Sequence, residues 1–267
     1  MKYYSLFFII LFIPQLGCSQ DSIVPEEIRN TRPGFLVSIE GGVSSSFGIY
    51  HMDGLEEDGW MGGECADNGS AISMNCDYKY KYHKLELLAT LGFNHNNYNL
   101  SSFINEQAYP IGAPPQAIVS SAIATSYNTG YLMAGVKYPF NLRRFTFYLD
   151  FMFGALICHT PSISFTEQYL PNQTYSYGLI DTIPWKVMQP SENGFAFCIS
   201  FGAGMEYHVS KNLFILITGC IGQAFNKIDV PIISTMPTNN KNLPSENYYS
   251  NLQIQLNNLE MGIGYEF

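Results

Sequence analysis

The sequence predicts an all-β protein, an eight-stranded antiparallel up-and-down transmembrane β-barrel with short turns at one end and long loops at the other. Three observations carry that expectation: paired runs in which apolar residues alternate with small or polar ones, a regular exchange of short and long connections between the runs, and a composition too poor in charge for a water-covered surface.

Of the 267 residues, 13% are charged and 15% aromatic, including 19 Tyr and 19 Phe. Soluble domains run near ~25% charged, and amphipathic rings gather where an apolar layer meets water. The net charge of -9 excludes nucleic acid as a partner, because phosphate binding requires clustered Lys and Arg.

At the N-terminus, Lys2 precedes an apolar run from Leu6 to Ile13, followed by Pro14 and small residues, so residues 1–19 read as a signal peptide. The run is well short of the roughly 20 residues a membrane-crossing helix needs. No other segment reaches that length without charges, which excludes a helical membrane protein. Two processing routes fit Leu16-Gly17-Cys18-Ser19: ordinary cleavage before Gln20, favoured by the small Gly17 and Ser19, and acylation of Cys18, for which Gln15 is a poor lipobox residue. Residues 20–33, polar and containing Pro25, read as a periplasmic lead-in to a barrel over residues 34–267.

The first strand, Phe35 to Phe47, directs Val37, Ile39 and Val43 outward and Ser38, Glu40 and Gly42 inward. A strand near Ser70 to Lys81 turns through Tyr82-His83-Lys84 into one carrying Leu85, Leu87, Ala89, Leu91 and Phe93. Leu132 to Phe140 turns through Asn141-Leu142-Arg143-Arg144 into Phe145, Phe147, Leu149, Phe151 and Phe153. A third hairpin runs from Phe195 to Tyr207, through Val209-Ser210-Lys211-Asn212, to Leu213, Ile215, Ile217 and Ile221. In the last strand Leu259, Met261, Ile263, Tyr265 and Phe267 alternate with Glu260, Gly262, Gly264 and Glu266. Long polar segments, residues 49–69, 104–120, 160–193 and 226–247, separate the hairpins.

The closing alternation, ending in Gly262-Ile263-Gly264-Tyr265-Glu266-Phe267, resembles the C-terminal signature of outer-membrane barrel proteins. With the strand and turn rhythm of residues 33–267, the chain resembles the eight-stranded families typified by the OmpA membrane domain and its OprF-like and PorT-like relatives. That resemblance implies a bacterial outer-membrane location, outer-membrane lipid as surroundings, and the barrel-assembly machinery as partner during biogenesis, with Tyr265 and Phe267 as the assembly signal. The sequence departs from OmpA in carrying no peptidoglycan-binding domain after the barrel, so that anchoring role is not carried over.

An eight-stranded barrel is filled by its own side chains. The inward positions include Glu40, Glu86, Lys137, Asp150, Glu206 and Glu260, with Lys79 and Lys81 available from the second strand. They are expected to form a charge network that plugs the lumen; an ion or proton path is the alternative. Cys158, Cys198 and Cys220 also face inward and are expected to act as small fillers, since their spacing matches no zinc motif. Cys65 and Cys76 flank the first long loop and are the candidate disulfide.

No cofactor motif and no catalytic constellation are expected. His208-Val209-Ser210 has the His-x-Ser form of lipid A deacylases but falls in a short periplasmic turn, and His159 with Ser162 lacks an orienting acid. Asp53, Glu56, Glu57, Asp58, Glu64 and Asp67 make the first loop acidic without the spacing of a calcium loop. Tyr169, Tyr175, Tyr177 and Trp185, on a proline-rich segment, are the better candidates for an extracellular ligand or surface partner. Two aromatic girdles are expected, Tyr138, Phe140, Phe145, Tyr207, Tyr265 and Phe267 at the short-turn end, and Tyr98, Tyr127, Phe195, Phe225, Tyr248 and Tyr249 at the other. The expected role is structural or surface-interactive; the alternatives are a narrow channel or transporter for small solutes and, less favoured, an outer-leaflet lipid-modifying enzyme.

Overall fold

Alternating sequence becomes strand throughout the computed structural model, which describes residues 33–45, 66–80, 85–101, 104, 117–169, 185–226, 228–235, 246–252 and 254–267. In chain order the described strands are β1 (Gly34–Ser44), β2 (Ala66–Lys79), β3 (Glu86–Tyr98), β4 (Ala117–Ala124), β5 (Tyr127–Leu142), β6 (Phe145–His159), β7 (Ile163–Tyr169), β8 (Trp185–Gln189), β9 (Asn193–His208), β10 (Leu213–Ala224), β11 (Ile228–Thr235), β12 (Glu246–Leu252) and β13 (Gln255–Glu266). Eight of them close as a barrel in the order β1, β13, β10, β9, β6, β5, β3, β2. Every neighbouring pair is antiparallel, and β1 seals the ring by pairing with β13 from Leu36 opposite Glu266 to Ser44 opposite Asn258. Closure leaves no unpaired strand edge in the ring, which is what an apolar solvent demands of a sheet.

Period two sorts the side chains by solvent. Leu91, Leu132, Leu149, Phe153, Phe201 and Ile263 stand exposed on the outside, while Glu40, Asp77, Lys137, Glu206 and Glu260 are buried inside. This inverts the arrangement of a water-soluble protein, and an apolar exterior of this extent requires hydrocarbon around it. Ile39 marks its middle: it lies halfway along β1, is 58% exposed, and has Met74 and Ile263 as cross-strand neighbours. Ile39→Arg is expected to lower stability in lipid vesicles by about 2–4 kcal/mol, the cost of a cation near the bilayer midplane. Urea unfolding in vesicles measures it, and an unchanged midpoint would place this face in water.

Inside, two glycines make room for rings. A Cβ at Gly92 would collide with the Tyr131 ring and one at Gly264 with the Phe214 ring. Each ring therefore lies over the bare backbone of the adjacent strand, where the glycine is its direct cross-strand partner.

The long polar segments differ from the expectation. Residues 104–120, 160–193 and 226–247 contain all or part of β4, β7, β8, β11 and β12, which form a second antiparallel sheet in the order β12, β11, β8, β7, β4. Each of these strands continues a barrel strand across a break of two or three residues, so the second sheet repeats the neighbour order β13, β10, β9, β6, β5. Pro161 and Pro190 lie in two of the breaks, where they can donate nothing to a ladder. Threonine hydroxyls take over there: the Glu192 amide donates to Thr160 Oγ1 at 2.9 Å, and the Ser162 amide to Thr125 Oγ1 at 2.8 Å. Farther out the β4–β7 register shifts between Ser120 and Ile123, with Ser121 at φ 54° forming a bulge. One face of this sheet buries Ile163, Phe165 and Val187, packed with Tyr98, Leu100, Ile104, Val119, Ala122 and Ala124.

Candidate functional site: the barrel lumen

The inward side chains form three successive zones. At the short-turn end Leu36, Phe214 and Leu216 make an apolar cluster, with the Phe214 ring 5.6 Å from that of His208. At the long-connection end a larger apolar cluster includes Tyr127, Tyr131, Met133, Met152, Leu156, Cys158 and Cys198. Between them lies the polar zone.

Lys137 is its pivot. Its ammonium donates to Asp77 Oδ2 at 2.6 Å and to Glu206 Oε1 at 2.5 Å, and sits 4.1 Å above the centre of the Tyr148 ring. Register places Lys137 directly opposite Glu86 on β3 and Asp150 on β6. The other oxygen of Glu206 lies 3.6 Å from His208 Nε2. A second group surrounds Glu40 and Glu260. Glu40 Oε1 accepts from Ser38 Oγ at 3.1 Å and from the Asn75 amide, and Asn75 Oδ1 accepts from Thr90 Oγ1 at 2.6 Å. Glu260 Oε2 accepts from Ser73 Oγ at 2.6 Å. Asn94 and Asn258 exchange amide hydrogen bonds of 2.8 and 3.1 Å, and Asn258 also donates to the Tyr131 hydroxyl at 3.1 Å. Such exchange across the lumen ties opposite walls together and uses most of the buried polar capacity.

Glu40 Oε2, Asp77 Oδ1 and Asp150 Oδ1 have no hydrogen-bond partner among the described residues. All three residues line a central cavity of about 40 Å³, large enough for a few water molecules. Among the described residues no three His, Cys, Asp or Glu side chains are grouped to hold a metal ion.

All six charged residues expected inside, Glu40, Glu86, Lys137, Asp150, Glu206 and Glu260, are buried, and Lys137 with Glu206 makes the direct ion pair. Lys79 pairs instead with Glu266 at the short-turn end, at 3.1 Å, and Lys81 lies outside the described residues. Asp77 and His208 complete the network although the sequence reading did not place them there. The signal for Asp77 was present, because Ile72, Met74 and Cys76 face outward and Asp77 shares the opposite parity with Ser73. His208 shares the parity of Glu206 in the sequence, although its His-x-Ser context was assigned to the turn; it is the last residue of β9 and is buried.

Cys158 and Cys198 are buried and Cys220 is partly buried, each with a free thiol. Their cross-strand partners are Thr129 and Gly194, Gly154 and Ala224, and Gly202 and Asn258 respectively, so no two of them face each other. Of the candidate pair Cys65 and Cys76, only Cys76 is among the described residues. Cys76 does not flank a loop; it lies far along β2, faces outward between Val37 and Ala89, and carries a free thiol.

The short-turn end carries ring pairs at 4.7 Å for Tyr138 and Phe140, 5.0 Å for Phe145 and Tyr207, and 4.8 Å for Tyr265 and Phe267. At the other end Phe195 and Phe225 point outward, but Tyr127 is 3% exposed and belongs to the lumen filling, because it shares the inward parity of Thr129 and Tyr131. Tyr98 packs against the same apolar cluster. The side chains of Tyr169, Trp185, Tyr248 and Tyr249, and the whole of Tyr175, Tyr177, Asp53, Glu56, Glu57, Asp58 and Glu64, lie outside the described residues; Asp67 is exposed.

The two histidine and serine pairs have separate partners. Ser210 Oγ accepts from the amide of Leu213 at 3.1 Å, as turn chemistry requires, while His208 faces Glu206 and Thr146 in the lumen. His159 bonds Asn193, and Ser162 bonds Thr125.

No protein-family model and no curated protein matches the chain. Among solved structures it is similar to the outer membrane protein OprG of Pseudomonas aeruginosa at 9% identity and TM-score 0.48, over 89% of this chain and 97% of that one. It is similar to a major outer membrane protein of Thermus thermophilus at 10% identity and TM-score 0.42, over 88% and 99%. Neisserial surface protein A matches at 11% identity and TM-score 0.41, over 88% and 96%. By its own closed ring of eight strands and its apolar exterior, the chain has the architecture of the small transmembrane β-barrels.

Proposed function

We propose that this chain is an integral protein of a bacterial outer membrane whose barrel is a plugged anchor and whose second sheet, with its connecting loops, is the working surface. One observation supports the reading: buried inward side chains succeed one another along the barrel, with Leu36, Phe214 and Leu216 at one end, the Lys137 network in the middle and the cluster around Tyr131 and Leu156 at the other end. The central cavity of about 40 Å³ is lined by residues of all three zones and has room for a few water molecules, which favours a plug over a path for a hydrated solute.

Five strands prolonged beyond the barrel place backbone and side chains well past the apolar belt, which an anchor alone does not need. In this reading the short turns face the periplasm, the second sheet faces the cell exterior, and the partner is an extracellular ligand or surface. The barrel-assembly machinery would read the last strand through Tyr265 and Phe267, both exposed at its end.

Planar-bilayer recording of the refolded full chain tests the plug. The expected result is no stable unitary conductance at 1 M-scale salt, and reproducible openings of one size would replace the anchor with a channel.

A further inference from the structure

On the outer wall, directly above the apolar belt, four adjacent barrel strands carry a row of neutral polar residues in register: His95 on β3 opposite Asn128 on β5, Asn128 opposite His159 on β6, and His159 opposite Asn193 on β9. The next outward residues toward the short-turn end are Phe93, Gly130, Ile157 and Phe195, and Phe93, Ile157 and Phe195 are exposed. The row thus lies on the line where hydrocarbon gives way to headgroups. It is also internally organised. His95 Nδ1 lies 2.7 Å from Asn128 Oδ1, and His159 Nδ1 lies 2.9 Å from Asn193 Oδ1. An amide oxygen can only accept, so each ring donates through Nδ1 and, in its uncharged form, presents Nε2 as an acceptor, while each asparagine keeps its NH₂ as donor.

The same acceptor and donor therefore occur twice, on ring pairs separated by two strand spacings, about 10 Å. We propose that this row is a binding site for lipid headgroups that combine a phosphate with an N–H or O–H donor. The phosphate oxygen takes the asparagine NH₂, and the headgroup donor meets histidine Nε2. A belt of charged side chains would hold any anionic lipid; this row instead asks for both halves of the headgroup. The inference rests on the reading of the barrel as embedded in a bilayer.

Native mass spectrometry of the full chain released from micelles doped with equal phosphatidylethanolamine and phosphatidylcholine tests it, since phosphatidylcholine has the phosphate but no N–H donor. Retained phosphatidylethanolamine is expected to exceed phosphatidylcholine about fivefold, the worth of one ordinary hydrogen bond. In the double variant His95→Ala with His159→Ala the two lipids are expected to be retained equally, with the circular dichroism of the barrel unchanged. Equal retention by the unmodified chain, or a preference that survives in the double variant, would overturn the site. Flotation of the unmodified chain with vesicles separates the two readings: a chain that floats but shows no preference loses only the headgroup site, and one that does not float loses the membrane reading with it.

Discussion

Replacement of Lys137 by methionine is expected to destabilise the barrel by about 3–5 kcal/mol, because it leaves two buried carboxylates with no counter-charge. Lys137 is 4% exposed and bonds Asp77 and Glu206 together, with Glu86 and Asp150 directly across on the adjoining strands. Lys137, Asp77 and Glu206 are all buried, so the repulsion is less screened than at a surface. Urea unfolding of the refolded chain gives the loss directly. The variant that combines Lys137→Met with Asp77→Asn and Glu206→Gln removes the charges as a set and is expected to recover most of the loss, since a buried network replaced as a whole costs far less than one broken in the middle. Equal instability of the single and triple variants would show that shape, not charge, dominates at this position.

Phe214→Ala is expected to cost about 3–5 kcal/mol through the cavity it leaves at the short-turn end. The ring is 2% exposed, packs with Leu36 and Leu216, stands beside His208 and occupies the space that Gly264 leaves open. No neighbour can close that space without moving a barrel strand, because the wall is a continuous ladder on both sides. Phe214→Leu keeps most of the volume and is expected to lose less than about 1.5 kcal/mol. A Phe214→Ala variant as stable as the unmodified chain would mean that the apolar cluster contributes nothing to holding the lumen closed.

How much of this arrangement could be read in advance depended on what each residue faces. Strands with lipid on one side and lumen on the other show clean alternation, and for these the inward and outward sets were legible residue by residue, from Glu40 and Ile39 on β1 to Glu260 and Ile263 on β13. The strands of the second sheet were not legible. Residues 163–169 and 185–189 are short, and they bury Ile163, Phe165 and Val187 on one side while leaving Met188 exposed on the other, so their alternation is too brief to stand out. Prolines at positions 161 and 190 made the same segments look like loops. Tyr127 was placed in a girdle because aromatics near strand ends usually are, and parity with Tyr131 decides otherwise.

The sequence by itself determined the class of the protein, since period-two alternation, sparse charge and short turns between long connections have one joint solution in a membrane: a closed ring. It also determined which faces Lys137 and the acids occupy, because parity along a strand is a local property. Only the tertiary structure decided which of them touch. Lys137 reaches Asp77, sixty positions earlier, and Glu206, sixty-nine later, across the lumen. Those distances depend on the stagger of strands around the barrel, and stagger is set by all eight pairings together. Cys76 depends on the same thing: in the sequence it appears to border a loop, and only its register with Val37 on β1 and Ala89 on β3 sets it well inside β2.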